Sequence, residues 1–155
     1  MAYSGTFLPK NIKKYEGDHT KIVWRSLWER GFFVWCDENP AIVKWSSEET
    51  IIPYICKTDN RPHRYFIDAK IVFESGQTIL VEIKPESQIK KPNVAGKKVT
   101  RALLESIATY AKNTSKWEAA DAYCKARGWS FQIWGESVLA KLGIKTNQQV
   151  KRSMR

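Results

Sequence analysis

The sequence predicts a layered α/β (or α+β) architecture, a small mixed β-sheet flanked by helices. Short apolar runs bounded by glycine, proline and other turn residues dominate residues 32–83, which predicts several strands. Apolar residues recur at helical spacing within residues 100–128, which predicts helices that pack on the sheet. The chain has 155 residues, enough for one domain with its own hydrophobic core.

The N-terminal third predicts an arm, a helix and a short strand. Residues 1–18 are interrupted by glycine and proline and predict an extended arm. A helix is expected over residues 20–30, which places Glu29 on its last turn, and Gly31 is expected to end it. Residues 32–35, FFVW, predict a short strand.

The middle of the chain predicts strands joined by loops. Residues 41–45, AIVKW, and residues 51–56, IIPYIC, predict two strands, and the proline in the second favours a sheet edge. Residues 57–63 predict a loop. A hairpin follows, and the basic, proline-containing residues 84–98 predict a long mobile loop.

The last third predicts two helices, a strand and a further short helix. The first helix is expected over residues 100–113, and a capping box at Ser115 opens the second, over residues 116–128. Residues 129–134, WSFQIW, predict a strand, and residues 136–143 predict the short helix. The polar residues that follow are expected to fray.

The net charge of +10 is distributed unevenly along the chain. Residues 84–101 carry one acid and these basic residues: Lys84, Lys90, Lys91, Lys97, Lys98 and Arg101. The tail after Ala140 carries no acid and these basic residues: Lys141, Lys145, Lys151, Arg152 and Arg155. Such blocks attract polyanions and favour nucleic acid as the partner over a membrane surface. A solvated basic surface is the alternative.

Other features narrow the class of protein. No apolar run approaches the ~20 residues of a membrane helix, and the N-terminal residues lack the apolar core of a signal peptide, so a cytosolic protein is expected. Cys36, Cys56 and Cys124 form no CxxC pair and are accompanied by only two histidines. The cysteines therefore predict buried thiols rather than a disulfide framework or a zinc knuckle.

Three charged residues interrupt the predicted hairpin at residues 65–85, YFIDAKIVFESGQTILVEIKP. The register of this hairpin decides which side chains share a face. A two-residue loop places Asp68 opposite Ile83, whereas a three-residue loop with a left-handed Gly76 places Asp68 opposite Glu82. The second register is favoured because it collects apolar residues on the other face: Ile67, Ala69, Ile71, Phe73, Ile79, Val81 and Ile83.

In this register Asp68, Glu82 and Lys84 share one face, and the two acids are cross-strand neighbours with Cβ atoms about 4.5–5.5 Å apart. Two carboxylates at this distance repel each other unless a cation lies between them. Mg²⁺ or Mn²⁺ suits such oxygen ligands, and Lys84 would orient or deprotonate a water or stabilise a phosphate. A solvated outer face with a Glu–Lys pair is the alternative.

Asp68 followed by Glu82-x-Lys84 on the next strand resembles the core of the PD-(D/E)xK nuclease superfamily. The wider pattern consists of SLWE, WCDENPAIVKWSSEE, IIPY, HRYFID, LVEIKP and NTSKWEAADAYCKARGWSFQIWGES. It is similar to the N-terminal domain of TnsA-type transposon endonucleases, and most similar to the small head completion nucleases of tailed phages. The resemblance covers residues 12–140. Ile67 stands where the "PD" label has proline.

This resemblance implies a restriction-endonuclease-like core over residues 19–140, preceded by the arm at 1–18 and followed by a basic tail at 141–155. It also implies roles for residues that match the family pattern. Glu29 matches the first-helix acid, and Asp68 matches the acid that bridges the metal. The third acid, the catalytic lysine and a backbone carbonyl that completes the metal site correspond to Glu82, Lys84 and Ile83.

The resemblance implies a Mg²⁺-dependent (or Mn²⁺-dependent) endonuclease that hydrolyses phosphodiester bonds of double-stranded DNA. Its expected setting is head completion and the processing of DNA ends after packaging, in the virion and the host cytoplasm. The expected partners include phage head, portal or neck proteins, and a homodimer is an open option. The expected DNA contacts are Lys90, Lys91, Lys97, Lys98 and Lys116. A non-catalytic, DNA-binding head-completion protein with this fold is the alternative, and the intact acid–acid–lysine set favours the enzyme.

Overall fold

The computed structural model describes residues 4–144, which form three β-sheets with α-helices packed on them. The strands are β1 (Gly5–Thr6), β2 (Val23–Trp24), β3 (Ile42–Ser46), β4 (Ile51–Cys56), β5 (Arg61–Phe66), β6 (Ala69–Phe73), β7 (Thr78–Ile83) and β8 (Ser130–Trp134). The α-helices are α1 (Leu27–Glu38), α2 (Glu86–Ile89), α3 (Arg101–Arg127) and α4 (Glu136–Lys141). Short 3₁₀ turns lie at Ile12–Lys14 and His19–Lys21.

The central sheet is mixed, as predicted. Its strand order is β3-β6-β7-β8, with β7 and β8 parallel and the other pairs antiparallel. Strand β7 is buried on both faces, because Val81 packs with residues of α1 and Leu80 packs with residues of α3. The hairpin β4–β5 lies beside this sheet and shares the α3 side of the core. This arrangement confirms the α/β class.

The register of the β6–β7 hairpin is the predicted one. Ala69 pairs with Val81, and the Phe73 amide donates to the Gln77 carbonyl at 2.9 Å. Gly76 has φ +91°, which a residue with a Cβ rarely adopts, so the three-residue loop needs glycine there.

The predicted apolar face of this hairpin is wrong at one position. Ile67 packs with Leu80 on the α3 side of the sheet, whereas Ile71 lies on the α1 side. The alternation fails because the chain leaves strand geometry between β5 and β6. There, the Ile67 backbone bonds instead to the segment before β4, donating to the Thr50 carbonyl and accepting from the Glu48 amide, both at 3.0 Å.

The predicted helix at 20–30 and the strand FFVW are both wrong. Helix α1 begins at Leu27, and Gly31 and residues 32–35 lie inside it. Ser26 caps the helix, because its Oγ accepts a hydrogen bond from the Glu29 amide at 3.2 Å. The cap and the buried face of α1 outweigh the strand preference of the aromatic run. Glu29 therefore lies on the first turn, where the helix dipole favours a carboxylate by about 0.3–1 kcal/mol.

The predicted break between two helices after residue 113 is also wrong. Helix α3 is continuous over 27 residues, capped by the Thr100 side chain and ended by the left-handed Gly128. Ser115 does not open a helix. Its Oγ donates to the Ala111 carbonyl at 2.9 Å and accepts from the Lys57 amide at 3.0 Å, which joins α3 to the β4–β5 hairpin.

The remaining expectations have mixed outcomes. The strands at β3, β4 and β8 and the short helix α4 are confirmed, whereas the loop expected at 57–63 already enters β5 at Arg61. The N-terminal segment packs on the core through the buried side chains of Phe7 and Tyr15. Residues 145–155, which include most of the expected basic tail, lie outside the described part. Within residues 4–144, none of the helices has the length and apolarity required to span a bilayer.

The double burial of β7 predicts a large cost for truncating Leu80, which has no exposed surface. The Leu80→Ala variant should lower the free energy of unfolding by about 2–5 kcal/mol in urea denaturation. The matched control is Leu104→Ala, because Leu104 on α3 is 56% exposed and should change stability by less than about 0.5 kcal/mol. Equal effects of the two variants would contradict the layer arrangement.

Candidate active site

The structure brings together the predicted acids Glu29, Asp68 and Glu82 where α1 begins and β7 ends. Asp68 lies in the short link before β6, and Glu82 is the second-last residue of β7. Glu29 joins them from the first turn of α1, and the charge of Glu82 acts on both Glu29 and Asp68. Lys84 follows directly after β7.

Asp68 is held by the neighbouring strand. One of its carboxylate oxygens accepts a hydrogen bond from the Ile83 amide at 2.8 Å. Burial raises the pKa of Asp68 well above its ordinary value, and the charges of Glu82 and Glu29 raise this pKa further. The hydrogen bond from Ile83 opposes the shift but does not cancel it. Asp68 is therefore a carboxylate whose negative charge lacks full compensation.

Glu82 is the most enclosed of the three acids. Only 8% of its surface is exposed, because it points to the α3 side of the sheet, like Leu80. The Tyr65 hydroxyl donates a hydrogen bond to its carboxylate. Burial raises the pKa of Glu82, while this hydrogen bond and the charges of Lys84 and Lys116 oppose the shift. This burial excludes the alternative of a solvated outer face.

Tyr65 and Lys116 form the wall of the site beside Glu82. Burial and the Glu82 charge raise the pKa of Tyr65, so its phenol stays protonated and donates. The Lys116 ammonium lies 5.4 Å from the centre of the Tyr65 ring. Burial lowers the pKa of Lys116, and the charge of Glu82 opposes that change. Lys116 was expected only as a DNA contact.

Glu29 is half-buried and faces the same cluster. Its carboxylate accepts a hydrogen bond from the Arg25 amide at 3.2 Å. Burial raises the pKa of Glu29, and the charges of Glu48 and Glu82 raise it further. The hydrogen bond from Arg25 and the charge of Arg25 lower this pKa but do not cancel the increase. The first turn of α1 therefore places an acid at the site, and the segment just before the helix supplies its counter-charge.

Sequence reasoning missed Tyr65 and the ion pair between Arg25 and Glu48. Glu48 has φ +56°, an uncommon conformation for a residue other than glycine, and its charge raises the pKa of both Glu29 and Asp68. Nothing in the local sequence marks Glu48 or Arg25. Tyr65 lies three residues before Asp68, and strand alternation would place two such residues on opposite faces, so no local signal pointed towards Tyr65.

The predicted DNA contacts divide into two groups. Lys116 lies at the acids, as described above. Four others are exposed on the segment that leaves the site after Lys84 and leads to α3: Lys90, Lys91, Lys97 and Lys98.

A mixed sheet flanked by helices, with carboxylates and a lysine gathered at the end of its central hairpin, is the arrangement of a PD-(D/E)xK-type nuclease domain. A family model described as TnsA-like endonuclease N terminal matches residues 39–136. The chain belongs to this family of endonuclease domains. The matched segment contains Asp68, Glu82 and Lys84, whereas Glu29 lies before it.

The chain is also similar to a curated phage protein, the head completion nuclease of Enterobacteria phage T4. The two are 43% identical over 148 residues, which cover 94% of this chain and 99% of that protein. No solved structure matches the chain. The resemblance inferred from the sequence motifs is thereby confirmed.

The raised pKa of Asp68 predicts a pH-dependent gain in stability when its charge is removed. Above the ordinary pKa of 3.8 the folded protein carries the cost of ionising this buried group, and the full cost is present above the raised pKa. In EDTA at pH 7, Asp68→Asn should raise the free energy of unfolding, because the amide removes the cost of ionising the buried carboxyl.

This gain should shrink as the pH falls through the ordinary pKa of 3.8 and approach zero below about pH 3, because the wild-type carboxyl is then protonated in both states. The control is Asp121→Asn, since Asp121 pairs with Lys125 on the accessible side of α3. Urea denaturation at both pH values tests the prediction. A gain for Asp68→Asn that is independent of pH would be inconsistent with it.

Proposed function

We propose that this chain is a divalent-metal-dependent DNA endonuclease of phage head completion, with Glu29, Asp68, Glu82 and Lys84 as its active site. The observation that carries the proposal is that the buried Glu82 lies close enough to Asp68 for its charge to raise the pKa of Asp68, at two positions that resemble the acids of the family pattern. Burying like charges destabilises a protein unless a ligand compensates for them.

The donor set fits Mg²⁺ or Mn²⁺, because both ions prefer carboxylate and carbonyl oxygens. The proposed ligands are Glu29, Asp68, Glu82 and the backbone carbonyl of Ile83. When bound, a divalent ion lowers the pKa of a coordinated water and stabilises negative charge on a phosphate. Burial raises the pKa of all three acids, and a divalent ion bound here would favour their ionised form.

The protein groups that would take part in the reaction are held in fixed positions. The Lys84 backbone amide donates to the Trp134 carbonyl at 3.1 Å, which holds this residue at the end of the β7–β8 pair. Its ammonium stabilises charge on the scissile phosphate or orients the attacking water. Tyr65 donates to Glu82 and thereby holds that carboxylate in one orientation.

Binding of double-stranded DNA is proposed to rest on phosphate contacts. Lys90, Lys91, Lys97 and Lys98 are exposed on the segment that begins at Lys84, so a backbone bound there passes close to the acids. Lys116 extends this positive surface to the wall of the site.

The setting in head completion is proposed from the phage T4 relative, which matches nearly the whole length of both chains. In this setting the substrate is the end of packaged DNA, and the protein contacts head, portal or neck proteins. It acts in the host cytoplasm during assembly and remains with the virion.

Removing the lysine or an acid should abolish cleavage without abolishing DNA binding. With Mg²⁺, wild type should cut linear and supercoiled DNA, whereas Asp68→Ala and Lys84→Ala should lose at least about a hundredfold in rate. Matched controls are Asp121→Ala and Lys21→Ala, which should cleave like wild type. Gel analysis of the products and mobility shifts of the complexes provide the two readouts.

If wild type binds DNA but leaves it intact with either metal, the endonuclease proposal fails. The non-catalytic head-completion protein is then the better description.

The basic segment after Lys84 should determine the salt dependence of binding. The double variant Lys90→Ala/Lys91→Ala should bind DNA more weakly, and the slope of log affinity against log salt should become less steep by about 0.9 for each phosphate that is no longer neutralised. Lys13→Ala/Lys21→Ala removes the same charge from the N-terminal segment and serves as the control. Equal slopes for the two double variants would place the DNA elsewhere.

A further inference from the structure

We propose that the turn of the β4–β5 hairpin is a second metal site, which binds Zn²⁺ through Cys56, Asp59 and His63. The thiol sulfur, a carboxylate oxygen and a ring nitrogen of these residues all lie within 4.8 Å of one another. The site is separate from the carboxylate cluster of the proposed endonuclease and does not depend on that proposal.

The hairpin geometry brings the three side chains together. Tyr54 pairs with His63 and Cys56 pairs with Arg61, so Cys56 and His63 project from the same face of the hairpin. The turn closes through the Asn60 amide, which donates to the Cys56 carbonyl at 2.7 Å. Asp59 then folds back, its Oδ1 accepting from the Arg61 amide at 2.9 Å while its Oδ2 lies 2.8 Å from His63 Nε2.

The donor types select zinc over magnesium. Zinc takes thiolate, imidazole and carboxylate ligands in tetrahedral geometry, often with three protein ligands and an open fourth position. Bonds of about 2.0–2.3 Å place tetrahedral ligand atoms about 3.3–3.8 Å apart, so the distances between the observed atoms, which are at most 4.8 Å, need to shorten by no more than about 1.5 Å. Magnesium and manganese favour oxygen ligands, which directs them to the other cluster.

Cys56 differs from the other two cysteines in a way that suits a ligand. All three cysteines are buried in the hydrophobic core, and Cys56 is 1% exposed. Cys56 Sγ lies 3.0 Å from the Thr58 hydroxyl, in the turn that also carries Asp59. Of the three thiols, Cys56 is the one with a carboxylate and an imidazole beside it.

The position of the site indicates a structural role. His63 stacks on Tyr54 at 5.6 Å between ring centres, and the same strand continues to Tyr65, the donor to Glu82. The Lys57 amide bonds to Ser115 of α3 within the same turn. An ion at the turn would therefore clamp the hairpin against α3.

Metal titration of the full-length chain tests this site. Co²⁺ is the spectroscopic probe and Zn²⁺ the calorimetric one, both added to reduced protein that carries Asp68→Ala to weaken the carboxylate cluster. The expected result is binding of one equivalent of Zn²⁺ and a Co²⁺ spectrum with a sulfur-to-cobalt charge-transfer band. Cys56→Ser should abolish the band, and His63→Ala should lower zinc affinity at least about tenfold.

The matched control is His19→Ala, which removes the other histidine and should leave zinc affinity unchanged. Because His63 is only half-buried, the His63→Ala variant should fold. It therefore tests the site even if Cys56→Ser fails to fold. A Co²⁺ spectrum without the sulfur band, or equal zinc affinities for His63→Ala and His19→Ala, overturns the proposal. Neither readout involves DNA cleavage, so failure here leaves the endonuclease proposal untouched.

Discussion

The burial of like-charged carboxylates at the end of the central hairpin is the constraint on which the site depends. Strand β7 is covered on both faces, so Glu82 is largely shielded from solvent, and the three-residue loop at Gly76 sets the register that brings Asp68 beside it. Burial is the largest cause of the raised pKa of both acids. The fold therefore concentrates negative charge at this site. The neighbouring cations Arg25, Lys84 and Lys116 neutralise that charge only in part.

The rest of the fold places other groups around this pair. Helix α1 contributes Glu29 because Ser26 starts the helix three residues earlier, and α3 covers Glu82 with Lys116. The basic segment between β7 and α3 starts at the site. Only a short length of chain therefore separates the lysines proposed to bind DNA from the acids. Tyr65 connects the site to the β4–β5 hairpin, and the proposed zinc site would stabilise that hairpin from its far end.

The parts of the fold that could be predicted from the sequence are those that depend on local periodicity. The β6–β7 register followed from alternation and a glycine turn, and Asp68, Glu82 and Lys84 followed from that register. Helix α1 was misplaced because FFVW has strong strand propensity, whereas the burial that makes it helical comes from tertiary contacts. Glu29 was therefore assigned to the wrong end of a helix, and only the family resemblance identified it. The ion pair between Arg25 and Glu48 was missed because it joins residues that are distant in sequence, and no short-range sequence pattern predicts such a contact.

The most direct test of the central claim is anomalous diffraction from crystals soaked in Mn²⁺. If the two acids hold a divalent ion, an anomalous peak should lie about 2.0–2.2 Å from carboxylate oxygens of both Asp68 and Glu82. Crystals with no peak between these residues at millimolar Mn²⁺, or with Mn²⁺ bound only at other positions, would contradict it.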